Sequence, residues 1–176
     1  MDDGAPNRML LTGVSGVGKS SLVEALGARG IEAVDTDTPF WRVPSELAIA
    51  PDPVVADGPV QPDWVWHEGR MAELLARPRA TPLVVAGCVE NQGRFRDRFE
   101  HVVVLTAPAD VIVQRLTTRT TNPSGRTPEE QARILGELAE VEPLLRRSAT
   151  RVIDTSAPFD EVLATVLRNL RPDDAR

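Results

Sequence analysis

The chain has 176 residues, enough for one domain with a full core and too few for two ordinary ones. Its 41% apolar and 26% charged residues are those of a folded soluble protein, not a disordered one. A net charge of −6 argues against a partner held by its nucleic-acid phosphate backbone.

In chain order, the first ten residues are acidic and lack the basic-then-apolar pattern of a signal peptide, so a cytoplasmic location is expected. Met9, Leu10 and Leu11 read as a first buried strand, and a glycine-rich turn follows at once. A helix is expected at 20–29, closed by Gly27 and Gly30, and a second strand at 31–34. Between Pro39 and Trp66 lie all three tryptophans (Trp41, Trp64, Trp66) and six of the fifteen prolines. This stretch belongs to an insertion, 38–80, in which 61–77 reads as helical. In that helix Trp64, His67, Met71 and Leu74 share one face, and Trp66, Arg70 and Glu73 an adjacent one. The run at 83–86 is the best central strand, and the whole apolar run 83–89 is too short to cross a bilayer, so no membrane partner is expected. A fourth strand is expected at 102–105 and a helix at 108–118 opening on Pro108. Thr127, Pro128, Glu129 and Glu130 form a capping box that starts a helix reaching about Ser148. A last strand at 151–153, a helix at 158–170 and a polar tail complete the chain. Strands alternating with helices predict an α/β fold with a five-stranded parallel sheet in a single domain.

Residues 13–20 satisfy G-x-x-x-x-G-K-[ST] at every fixed position, between a strand and a helix. Gly13, Val14, Ser15, Gly16, Val17 and Gly18 would turn successive N–H groups inward as an anion nest at the helix N-terminus, with Ser21 just inside it. Lys19 would reach the β- and γ-phosphates of ATP, and the Ser20 hydroxyl would hold Mg²⁺. Asp35 and Asp37 follow at the end of strand two, where open α/β sheets bind ligands. Asp35 is the expected metal ligand, and Asp37 the group that orients or deprotonates an acceptor hydroxyl. The alternative for this segment is turn chemistry. At the end of the third strand, Ala86, Gly87 and Cys88 include no acid, which argues against GTPases and motor ATPases. Gly87 would allow close approach of a substrate, and Cys88 reads as a small buried filler. A lone cysteine also excludes an internal disulfide. Arg115, Arg119 and Arg126 flank a small, polar segment suited to a mobile flap that neutralises a transferring phosphoryl group and excludes water.

These motifs, in this order, resemble the adenylate-kinase-like small P-loop kinases, and in particular the shikimate kinases. The resemblance rests on GVSGVGKSSL, VDTD, AGC, R-L-x-x-R, EPLLRRSA and VIDTSAPFDEV. It implies a three-layer α/β/α P-loop NTPase fold with strand order 2-3-1-4-5, a LID at about 117–128 and a substrate-binding insert after strand two. It also implies adenine held by Arg115 and the loop of Thr155, Ser156, Ala157 and Pro158. Shikimate kinases carry F-R-x-x-E in the insert, where this chain has Gly69, Arg70 and Glu73. They also carry a substrate-gripping arginine just before P-L-Y, where this chain has Val141, Glu142, Pro143 and Leu144. Loss of that cation disfavours shikimate itself.

The expected activity is Mg²⁺-dependent transfer of the γ-phosphoryl of ATP to a hydroxyl of a small metabolite. Lys19, Arg119 and Arg126 would stabilise charge, Ser20 and Asp35 hold the metal, and Asp37 serve the acceptor. Trp41, Trp66, Arg70, Glu73 and Gly87 are candidate acceptor contacts, with Trp66 as an aromatic plate beside Arg70. A nucleoside monophosphate kinase and a regulatory ATPase acting through a protein partner are the alternatives. The chain is expected to be a monomer or homodimer.

Overall fold

A computed structural model describes residues 7–45, 64–120 and 125–170. Strand β1 (Arg8–Thr12) runs into the glycine-rich turn and helix α1 (Lys19–Gly27), then β2 (Glu32–Asp35). Two short strands follow, β3 (Arg42–Pro44) and β4 (Trp64–Trp66), and then α2 (Glu68–Ala76) and β5 (Leu83–Ala86). A 3₁₀ stretch (Glu90–Arg98) leads to β6 (His101–Thr106), α3 (Ala109–Thr118), α4 (Pro128–Ser148), β7 (Arg151–Asp154) and α5 (Phe159–Leu170).

The main sheet is parallel, in the order β2-β5-β1-β6-β7. Counting only its own five strands, this is the expected order 2-3-1-4-5. The pleat splits the central strands β1, β5 and β6 between two cores. Met9 and Leu11 of β1, Val84 and Ala86 of β5, and Val103 and Leu105 of β6 face one side, against Leu22 and Leu26 of α1, Ile112 and Leu116 of α3, and Val162 and Val166 of α5. Leu10, Leu83, Val85 and Val102 face the other, against Trp66, Met71, Leu74, Phe95 and Phe99. Helices therefore cover both faces, and the long apolar runs of β5 and β6 follow from burial on both sides.

The insert departs from expectation. Residues 64–66 are a strand, not helix: Trp64, Val65 and Trp66 pair antiparallel with Pro44, Val43 and Arg42. Aromatic and β-branched residues favour this pleated pairing, and the helix starts only after His67, whose Nδ1 accepts the Arg70 N–H as its N-cap. Met71 and Leu74 are buried as expected, but Trp66 shares no helical face with Arg70 and Glu73. Strand β3 and the 3₁₀ stretch have no counterpart in the sequence reading. Residues 46–63 of the insert and 121–124 of the expected LID lie outside the described residues.

Candidate active site

The turn after β1 curls through three glycines with positive φ: Gly13 (146°), Gly16 (87°) and Gly18 (100°). At Gly13 the restriction is also steric, since a Cβ there would stand 2.4 Å from the Leu105 carbonyl oxygen. A side chain at Gly16 would press on Ile112 and Leu116 of α3, so the loop lies flat against the core that supports it. Gly18 is the N-cap of α1 and carries no capping side chain, which leaves the first-turn N–H groups without a side-chain partner at the helix's positive end.

Lys19 is buried, and its Nζ donates to the carbonyls of Gly13 (2.7 Å) and Val14 (3.1 Å). The ammonium thus lies folded over its own loop, poised where phosphate oxygens would replace the carbonyls. The Ser20 hydroxyl donates to Asp35 Oδ2 at 2.7 Å. Asp35 Oδ1 accepts the Asp37 N–H at 2.9 Å, an Asx turn that sends the chain sharply out of the sheet. The Asp37 carboxylate is exposed, with Arg42 Nη1 at 3.5 Å; the same guanidinium stacks 5.0 Å above the Trp64 ring.

Ser20, Asp35 and Asp37 share an open cavity of about 530 Å³ with residues 15–19, Ser21, Thr38, Arg115, Thr118, Arg119, Thr155 and Phe159. Arg115 donates to the Thr155 hydroxyl at 2.9 Å and to the Thr155 carbonyl, tying α3 to the turn after β7. In that turn Asp154 accepts the Ser156 N–H at 2.8 Å. Its hydrogen bonds from Ser156, and then the Arg115 charge, hold its carboxyl below the usual value. Phe159, 45% exposed, adds an apolar wall that the sequence reading missed; an aromatic directly after Pro158 was the available signal.

On the far side, Arg126 Nη2 donates to the Arg119 carbonyl at 2.8 Å. Burial, and then the nearby Arg126 cation, lower the pKa of Arg119, with Glu130 opposing; the guanidinium remains charged. Arg115 and Arg119 both border the cavity; Arg126 does not line it but is fastened to the Arg119 backbone.

The acceptor candidates are less well gathered. Trp66 is fully buried, with its indole N–H on the Thr36 hydroxyl, so it offers no plate to a ligand. Gly87 also meets Thr36, not open space: a Cβ there would lie 2.1 Å from Thr36 Oγ1. Arg70 donates to the Phe40 carbonyl at 2.7 Å and stacks 4.7 Å over its ring. Glu73 turns instead to Arg77 on the exposed surface, and Trp41 is half-buried, edge-on to Phe40 at 4.9 Å. Glu142, near the position where shikimate kinases carry their arginine, accepts from Thr106 (2.7 Å) and pairs with Arg146.

Among the described residues, no cluster of three or more His, Cys, Asp or Glu could cage a metal. The hydroxyl and carboxylate oxygens of Ser20 and Asp35 do suit Mg²⁺, a hard cation that takes one or two protein oxygens beside phosphates and water.

Fold and site together define a P-loop nucleotide-binding protein of the α/β class. The family model described as "AAA domain" matches residues 9–136. Shikimate kinase 2 from Pectobacterium carotovorum subsp. carotovorum (strain PC1) is 30% identical over 177 residues, covering 93% of this chain and 95% of its own. The shikimate kinase from Acinetobacter baumannii, solved in complex with shikimate, superposes with a TM-score of 0.57 at 21% identity, covering 96% of each chain. A gluconokinase from Sinorhizobium meliloti 1021 gives 0.57 at 22% identity, over 94% of this chain and 92% of that one. The chain belongs to this AAA domain family and, within it, to the small-molecule P-loop kinases that include the shikimate kinases. No helix among the described residues is long and apolar enough to cross a membrane.

Proposed function

We propose that this kinase transfers the γ-phosphoryl of ATP to a hydroxyl of a small metabolite, with Mg²⁺ held at Ser20 and Asp35. The observation that carries the proposal is one cavity in which the P-loop, the Ser20–Asp35 contact and the exposed Asp37 carboxylate meet. The loop N–H groups and Lys19 bind the β- and γ-phosphates, and Lys19 gives up its two carbonyl partners to do so. Mg²⁺ would neutralise charge that builds on the phosphate oxygens. Asp37 accepts the proton of the attacking hydroxyl and aims its oxygen in line with the γ-phosphorus. Arg119 and Arg126 close from the α3 side, adding positive charge and excluding water that would otherwise hydrolyse ATP. Arg115, Phe159 and residues 155–158 take the adenine.

A hydroxyl acceptor is favoured over a nucleoside monophosphate because the Asp35–Asp37 pair would repel an anionic acceptor phosphate. Shikimate is disfavoured: the segment Val141, Glu142, Pro143 and Leu144 holds no arginine where the family carries its substrate-gripping one, and Glu142 is already held by Thr106 and Arg146. The insert 38–80 and a LID at about 117–128, in one domain, are the parts that would select and cover the acceptor.

The test is a screen of hydroxylated metabolites for acceptor-stimulated ADP formation by the wild type and Asp37→Asn. Stimulated turnover is expected to fall roughly 10²–10⁴-fold in the variant, with ATP affinity preserved. Stimulation by nucleoside monophosphates alone would overturn the hydroxyl assignment, and an undiminished rate in Asp37→Asn would remove that residue from the chemistry. A slow hydrolysis that no small molecule stimulates would favour the regulatory ATPase.

A further inference from the structure

Thr36 stands between the two aspartates and is fully buried. Its hydroxyl is used in both directions, donating to the Ala86 carbonyl at 2.7 Å and accepting the Trp66 indole N–H at 2.9 Å. Its backbone N–H also donates to Ala86, at 2.8 Å. Trp66 is itself immobilised. Its backbone N–H and carbonyl are taken by the Asn91 amide at 2.9 and 3.0 Å, and its ring packs edge-on against Phe95 at 5.8 Å. Gly87 leaves the space that the Thr36 side chain fills.

From this arrangement we propose that Trp66 and Thr36 are positioning residues for the acidic pair. Trp66 belongs to the hairpin of the acceptor insert, yet its polar atom reaches the strand end that carries Asp35 and Asp37. The side chains of Asp35 and Asp37 are engaged by short polar contacts at the cavity mouth: Ser20 on Asp35, Asp35 on the Asp37 N–H, and Arg42 on Asp37. The backbone between them is fixed from below by the Asp35–Ala86 pairing of β2 with β5, by the Thr36 N–H on the Ala86 carbonyl and by the Thr36 side chain. A β-branched threonine whose hydroxyl both donates and accepts is held in one rotamer, which anchors the chain between the two aspartates to β5 and the insert. The hairpin that builds the acceptor side and the strand end that bears the metal ligand thus act as one unit. This inference rests on the proposed metal role of Ser20 and Asp35.

The test uses the full chain with ADP and Mn²⁺ as probes, so that no acceptor is needed. ADP affinity is measured by calorimetry without metal and with Mn²⁺, and bound Mn²⁺ is followed by electron paramagnetic resonance. Thr36→Val keeps the shape and removes the hydroxyl, Trp66→Phe removes the N–H donor, and Thr36→Ser restores the hydroxyl. Metal-free ADP affinity is expected to be unchanged in all three. The gain conferred by Mn²⁺ should fall about tenfold in Thr36→Val and Trp66→Phe, the low end for loss of a residue that orients a metal ligand. It should persist in Thr36→Ser. An equal loss with and without metal would reduce the pair to general structural support, and an intact Mn²⁺ gain in Thr36→Val would overturn the proposal outright. Asp35→Asn separates the two claims, since an undiminished gain there sinks the metal assignment itself and this role with it. If Trp66→Phe fails to fold, the Val and Ser variants at position 36 still decide.

Discussion

On the proposed function, Lys19 illustrates how one residue is prepared for a ligand. Few lysines are buried, and this one compensates by bonding two carbonyls of its own loop. The bonds are local, so phosphates can replace them without unfolding anything. Lys19→Met is expected to lower phosphoryl transfer by roughly 10²–10³, the usual loss for one preorganised charge-stabilising donor, measured as acceptor-stimulated ADP formation. Gly13 is a different case, because its role is conformational. With φ at 146° and a carbonyl oxygen 2.4 Å from any added Cβ, Gly13→Ala must shift β1 against β6. It should destabilise the protein by about 1–3 kcal/mol or more, read from urea unfolding.

At the scale of elements, the entry to α4 is the hinge that matters. Thr127 and Glu130 form a reciprocal capping box, and the Glu130 carboxylate also accepts from the backbone of Gly125 and Arg126. One side chain therefore fastens the end of the expected LID to a helix. Those N–H groups, Thr127 first, hold the Glu130 carboxyl below its ordinary 4.5. A lowered folded value means the anchor is complete above pH 4.5 and is lost as pH falls through the folded pKa. Amide exchange at residues 125–127, corrected for intrinsic rates, should accelerate over that acidic range. In Glu130→Gln the exchange should be faster at neutral pH, with no such acid transition. An unchanged protection profile would show that the hinge is held by other contacts.

Across the whole molecule, both cores share the same central strands, so neither face can loosen alone. Leu10 looks into the core under the insert, while its neighbours Met9 and Leu11 look into the core under α1 and α3. Leu10→Ala is expected to cost about 2–5 kcal/mol and to keep a single unfolding transition by circular dichroism and tryptophan fluorescence. Separate transitions by the two probes would show the insert unfolding as its own unit. ADP should raise the melting temperature of the wild type, and less so that of Lys19→Met, because only the folded loop binds it.

The P-loop was legible in the sequence because its motif is local. A loop whose glycines, lysine and serine occupy consecutive positions makes its own anion site wherever a strand feeds a helix. The sheet was legible for a related reason: apolar runs such as 83–86 have only one environment that suits them, burial on both faces. The insert was not legible, since the β-favouring Trp64, Val65 and Trp66 also fall at helical spacing with the residues after them, and only Arg42, Val43 and Pro44 as partners make them a strand. That pairing, across residues distant in the chain, turned Trp66 inward and replaced an imagined substrate plate with a buried donor to Thr36. Arg70 reaches the Phe40 carbonyl and Glu73 pairs with Arg77 one helical turn on, so the two side chains do not converge as spacing alone had grouped them. The sequence by itself determined a small P-loop kinase, because the loop motif is written within a few adjacent residues. Only the tertiary structure decided what holds the acidic pair in place, because hydrogen bonds between β2, the β3–β4 hairpin and the 3₁₀ stretch exist only once the chain has folded.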